Sequence, residues 1–213
     1  MKTDDLIRLL AADTLPVARG AAPRRIGFSL VAGLPVAAAF MLLFYGVRPD
    51  LSEAARFPMF WVKLLFPAAI GVAAFAALQR LARPGVRLGA SWLALAVPVL
   101  LLWALAASSL ADAPAGERMS MVWGQTWRSC SANIALVSVP VFIAAFAAVR
   151  SLAPTRLAWA GACAGAMAGG AGATVYALHC PELEAPFLAV WYVLGILLPV
   201  AAGALLGPRL LRW

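Results

Sequence analysis

Charge is what this sequence has least of. Only 12% of its 213 residues are Asp, Glu, Lys or Arg, about half the share usual in a soluble domain. It has one histidine, His179, and three cysteines, none of them in a C-x-x-C pair. A quinone-coupled disulfide enzyme would therefore lack its usual dithiol. No phosphate loop, HExxH helix or GxSxG elbow occurs, which removes the common signatures of nucleotide, zinc-protease and serine-hydrolase chemistry. The longest stretch outside the apolar runs is residues 1–25, shorter than a domain that folds unaided.

What fills the chain instead is apolar residue, 64% of the total. Six runs are long enough to cross the ~30 Å hydrocarbon core as helices: 26–46, 59–78, 91–110, 133–149, 157–178 and 186–207. Backbone groups in lipid must be satisfied within their own segment, which makes each run a helix. The expected fold class is all-α, a polytopic bundle of six transmembrane helices (26–213) behind a tail (1–25). The first run starts at Ile26 and is too long for a signal-peptide core, so no cleaved leader is expected.

Basic residues set the orientation. With the N-terminus inside, twelve Lys and Arg fall on inner segments: Lys2, Arg8, Arg19, Arg24, Arg25, Arg80, Arg83, Arg87, Arg150, Arg156, Arg209 and Arg212. Five fall outside: Arg48, Arg56, Lys63, Arg118 and Arg128. The positive-inside rule then places both termini in the cytoplasm. Tyr45, Trp61, Trp123, Trp127, Tyr176 and Trp191 would mark the outer interface, and Trp92, Trp159 and Trp213 the inner one. The net charge of +8 is spread between spans, with no basic stripe on a soluble domain, so no direct nucleic-acid partner is expected.

Proline interrupts five spans, at Pro35, Pro67, Pro98, Pro140 and Pro199. The fifth span instead carries Gly161, Gly165 and Gly169, and the sixth Gly203 and Gly207. Small residues four apart let helix backbones approach closely. Ordinary bundle packing accounts for this; kinks that make the bundle bistable are the sharper alternative. No charged residue is expected deep in any span, which counts against a transporter or proton pump.

Cys130 closes one outer loop and Cys180 opens another, so both thiols are expected at the outer face. Arg128 would favour a thiolate at Cys130, while Glu182 and Glu184 would oppose one at Cys180. His179 and Glu182 add an imidazole and a carboxylate, a possible auxiliary ligand pair for a soft metal held by Cys130 and Cys180. Three readings stand for the thiols: a disulfide brace, suited to an oxidising compartment, a redox or metal sensor, and unrelated residues. Cys163 lies near the inner end of the fifth span among Ala and Gly and reads as packing.

The tail is the remaining feature. Thr3 can cap a helix whose first turn holds Asp4 and Asp5. Leu6, Ile7, Leu9 and Leu10 then span one arc, with Asp4, Asp5 and Arg8 opposite. Residues 3–13 carry three acids and one base, which suits a protein groove better than an anionic lipid surface; a frayed tail lying on the bundle is the plainer alternative.

The tail Asp4–Asp13, the segment Trp127-Arg128-Ser129-Cys130, Ala153-Pro154 before the glycine-rich span, the stretch Tyr176 to Glu182, Trp191-Tyr192 and the terminal Arg212-Trp213 resemble the NrsF-type negative regulators of extracytoplasmic-function sigma factors. The resemblance covers essentially the whole chain. It implies a bacterial inner-membrane anti-sigma factor, not an enzyme, with no constitutive cofactor and a heavy-metal ion at most transiently bound. It implies that the cytoplasmic side holds an extracytoplasmic-function sigma factor, here through Asp4, Asp5, Leu6, Ile7, Arg8, Leu9, Leu10 and Asp13. It also implies that Cys130 and Cys180 respond to heavy-metal or oxidative stress. A membrane thiol oxidoreductase and a transporter of a small solute or metal remain the rival classes.

Overall fold

The computed structural model describes residues 3–12, 20–83, 85–86 and 88–212, all helix and connecting turns among them. Helix α1 (Thr3–Ala12) is the tail helix. Helices α2 (Ala21–Phe44), α4 (Pro58–Leu81), α5 (Ser91–Asp112), α7 (Trp127–Arg150), α8 (Leu157–Tyr176) and α10 (Val193–Leu210) form the bundle. The short helices α3 (Leu51–Ala54), α6 (Arg118–Trp123) and α9 (Ala185–Phe187) cover one end. A π-helical turn, Leu188–Tyr192, joins α9 to α10.

Local chemistry sets these limits. Gly46 stops α2 with a positive φ of 72°; it and Tyr45 both donate to the Met41 carbonyl, as helix C-termini require. Pro58 opens α4 at the first turn, where its missing N–H costs nothing.

Among the described residues, five helices are long and apolar enough to cross a membrane, running Ala21–Phe44, Pro58–Leu81, Ser91–Asp112, Arg118–Arg150 (with the break at Gly124) and Ala185–Leu210. The sixth expected span, α8, has twenty residues but is mostly glycine and alanine, whose low hydropathy keeps it short of that mark. It is nonetheless the centre of the bundle, packed by α4, α7 and α10. Helix α5 lies at the periphery, burying only Leu102 and Ala106.

The glycine spacing has a plain steric cause. A Cβ on Gly165 would sit 2.1 Å from the Pro199 carbonyl oxygen, and one on Gly161 would strike the Gly203 carbonyl. Helices α8 and α10 thus meet backbone to backbone, the close packing read from the sequence.

Two apolar clusters divide the interior. One gathers Ile26, Leu81, Val149, Ala160 and Leu211. The start of α2, the end of α10 and the ends of α4 and α7 therefore share one end of the bundle. That end carries Arg24, Arg25, Arg80, Arg150 and Arg209, and Arg25 donates to the Ser151 carbonyl at 2.9 Å. We call it the basic end. The second cluster surrounds Cys130 and Cys180 at the opposite, thiol end.

Two placements differ from the sequence reading. Cys130 lies in the first turn of α7 and not in a loop, because that helix starts six residues before the apolar run. Lys63, assigned to an outer segment, lies within α4 and is fully buried, so one span does hold a charge. Asp13, Lys2, Arg19, Arg87 and Trp213 lie outside the described residues.

Candidate functional site

The thiol end is built around two cysteines from different elements. Helix α7 supplies Cys130, and the turn after α8 supplies Cys180. Both are free and completely buried, contrary to the expected outward-looking pair. Their side chains lie within hydrogen-bonding reach of one another. Cys163 is also buried, but in the basic-end cluster.

The segment carrying Cys180 is held at its backbone. The Lys63 ammonium donates to the carbonyls of Cys180 and of Glu182, the latter at 2.7 Å. It also stands 5.5 Å from the Tyr192 ring centroid, a favourable cation–π approach. The Arg48 side chain reaches the Cys180 carbonyl at 3.4 Å, and its own N–H donates to the Leu178 carbonyl at 3.1 Å. Arg48 is fixed in turn by a bidentate pair with Asp50, 2.8 and 2.7 Å. That guanidinium holds the Asp50 carboxyl down at about 2.

These neighbours set the chemistry of Cys180. Hydrogen bonding with Cys130 comes first, and the Lys63 charge and the Tyr192 hydroxyl add to it; burial opposes them. The net effect holds Cys180 below the ordinary thiol range, toward the thiolate that reacts and binds metal. This reverses the expected polarity. Arg128 is exposed and lies over the Trp127 ring, 5.2 Å from its centroid. The Glu182 carboxylate is turned away, accepting from the backbone N–H of Gln125 and Thr126 at 2.7 and 3.0 Å. It thereby caps the start of α7, where a carboxylate is favourable.

The π turn completes the enclosure. A π turn leaves carbonyls without their usual i+4 donors. Here Trp103 donates to the Ala189 carbonyl at 3.0 Å, and Ser131 to the Trp191 carbonyl at 2.8 Å. Tyr192 is fully buried, with its hydroxyl beside the Cys180 sulfur but in no well-formed hydrogen bond.

His179 is occupied elsewhere. Its Nδ1 meets the Gly46 carbonyl at 3.0 Å, and its ring packs beside Tyr45 and Tyr176. Those tyrosines belong to the interior: Asn133 accepts from Tyr45 and donates to Tyr176, each at 3.2 Å. Among the described residues, no group of three or more His, Cys, Asp or Glu side chains gathers as a metal site. The structure therefore brings Cys130 and Cys180 together and leaves His179 and Glu182 in other bonds.

A family model described as "Negative regulator of sigma F", NrsF, matches residues 10–213. The chain belongs to the NrsF family. A protein of Azospira oryzae named a probable anti-sigma-F factor NrsF is 46% identical over 213 residues, covering all of both chains. The anti-sigma-F factor NrsF of Caulobacter vibrioides is 41% identical over 219 residues, again with full coverage of both. No solved structure matches the chain significantly.

Within this NrsF-family chain, α1 stands at the other extreme of burial. None of its residues is buried, and Leu10 is 64% exposed. Asp4, Asp5, Leu6, Ile7, Arg8 and Leu9 share that exposure. Lys63, Arg48 and Tyr192 were not singled out from sequence as site residues. The available signal was a lone lysine inside Phe60-Trp61-Val62-Lys63-Leu64-Leu65-Phe66, since an ionisable group in an apolar span is a functional candidate.

Proposed function

We propose that this protein is an anti-sigma factor of the bacterial inner membrane, crossing it six times with both termini in the cytoplasm. Its sigma factor is of the extracytoplasmic-function class and docks on α1. Full-length similarity to two proteins named as anti-sigma-F factors carries this reading. The exposed leucine arc of α1 suits insertion into a groove of the partner. The twelve-to-five basic asymmetry supports the orientation.

Cys130 and Cys180 act as the sensor of heavy-metal or oxidative stress on the periplasmic side. What supports this is the buried pair of free thiols, one tuned toward thiolate, clamped to α4 and the 45–50 turn. A soft metal ion could be held by these two sulfurs; oxidation would join them as a disulfide. Either event changes the spacing of α7 and the 178–184 turn. The shift passes along α8 and α10 to the basic end and alters how α1 is presented. A coupling of about 1–3 kcal/mol is the usual size for such communication. A protein dithiol substrate has no path to two fully buried sulfurs, which disfavours an oxidoreductase.

The test is co-purification in detergent. The wild-type protein should retain the sigma factor, and Leu6→Asp with Leu10→Asp should lose it at unchanged protein level. Full retention by that double variant would move the contact surface to the loop between α4 and α5.

A further inference from the structure

Lys63 stands out from every other charge in the molecule. It is the one fully buried charged side chain among the described residues, and it touches no carboxylate. Its ammonium bonds the carbonyls of Cys180 and Glu182 and lies within reach of the Cys180 sulfur and over the Tyr192 ring. All of these except Tyr192 belong to the 178–184 turn. The charge is thus accommodated only while that turn is in place, because a buried ion that loses its partners is strongly destabilised.

We propose that Lys63 is a positioning residue that latches the 178–184 turn to α4 and passes the state of the thiols to that helix. This rests on the sensor reading above. In the resting protein the two carbonyls satisfy the ammonium, and α4 is locked against α8 and the turn. When Cys130 and Cys180 are drawn together by a disulfide, the Cys180 carbonyl leaves Lys63. The uncompensated ammonium then moves toward water at the thiol end and takes the first turns of α4 with it. The latch gives the bundle two discrete states: turn docked with Lys63 dry, or turn displaced with Lys63 wet. Arg48, two of whose five N–H donors are held by Asp50, restrains the same carbonyl.

The chain has only two lysines, Lys2 and Lys63, which makes a direct test simple. The full-length protein in detergent is acetylated with an amine-reactive ester before and after treatment with diamide. Diamide takes two electrons and two protons from the thiols as the Cys130–Cys180 disulfide forms. Peptide mass spectrometry reads each lysine. Lys63 should be protected when reduced and modified about tenfold faster or more when oxidised, within the range of a site-to-site coupling. Lys2 should label equally throughout, and Cys130→Ser should abolish the change at Lys63. Equal labelling of Lys63 in both states of the wild type would overturn the latch. The readout does not involve the sigma factor, so failure of the anti-sigma reading would leave this result intact. A second measurement uses Lys63→Met and Lys63→Arg, each oxidised with diamide with the sigma factor bound. Lys63→Met should form the disulfide yet keep the sigma factor, and Lys63→Arg should restore release. Normal release by Lys63→Met would assign Lys63 a packing role only and refute the proposal.

Discussion

The two ends of α8 are buried for opposite reasons. Toward the basic end, Gly161 and Gly165 press their backbone onto Gly203 and Pro199 of α10, and Cys163 fills space among alanines. Beyond the last turn, Cys180 is enclosed by Lys63, Arg48, Tyr192 and Cys130. The first contact is steric and has one solution, since interiors pack at crystal-like density. The second is a set of polar bonds to the carbonyls around the Cys180 sulfur. One helix is therefore held by steric fit at one end and by polar bonds at the other.

The largest effect should come from breaking the steric end. Gly165→Leu puts a branched side chain where even a Cβ lies 2.1 Å from the Pro199 oxygen. Overpacking of this kind costs about 3 kcal/mol or more, and the yield of monodisperse protein in detergent should collapse. A normal yield would mean that α8 and α10 separate easily and are no anchor.

Cys130→Ser and Cys180→Ser should fold, hold the sigma factor and ignore metal or oxidant, in reporter assays of the regulon. The single variants should match the double, because a paired site acts as a unit. Constitutive output at normal protein level would instead make the pair a brace.

Glu182→Gln sharpens the polar end without touching sulfur. It weakens the cap on α7, so a stability loss of about 1–2 kcal/mol is expected in thermal melts, since hydrogen bonds to charged groups are worth about that much. Cys163→Ser should cost about 1 kcal/mol or less by the same measure, its hydroxyl bonding a carbonyl one turn back, with the stress response unchanged.

The smallest effect concerns Asp50. Its carboxyl is held at about 2 by Arg48, below its ordinary value. The stability it contributes is present at neutral pH and lost as pH falls from about 4 towards 2. Asp50→Asn should flatten that part of the acid slope in melts by lowering stability at pH 7, with wild type and variant converging near pH 2; the loss is small because the carboxylate is exposed and screened. An unchanged slope would show that Arg48 does not need Asp50.

The long helices and the shared end of Cys130 and Cys180 were legible in the sequence; the burial of the thiols and their surroundings were not. Apolar run length located the long helices to within a turn or two, and glycine spacing located the α8–α10 seam. The run 157–178 located α8 (Leu157–Tyr176) closely. The first turn of α7 lies outside the apolar run because Arg128, Ser129 and Ser131 interrupt it, and the Glu182 carboxylate that meets the N–H groups of Gln125 and Thr126 comes from a segment distant in sequence. Lys63 was read as loop charge because run length says nothing of a carbonyl pair brought from more than a hundred residues away. The π turn left no periodic trace, since Leu188–Tyr192 is as apolar as a regular helix.

That π turn also fixes a phase. It places one extra residue between the Phe187–Leu188 face at the thiol end and the Pro199–Gly203 face that meets α8. Each helical residue turns the chain by about 100°. With one residue fewer, Pro199 and Gly203 could still dock on α8, but the residues upstream of the deletion, Phe187 and Leu188 among them, would point about a quarter-turn away from the thiol-end cluster. A deletion at the exposed Val190 would therefore act as a change of angle, leaving every remaining side chain chemically unaltered.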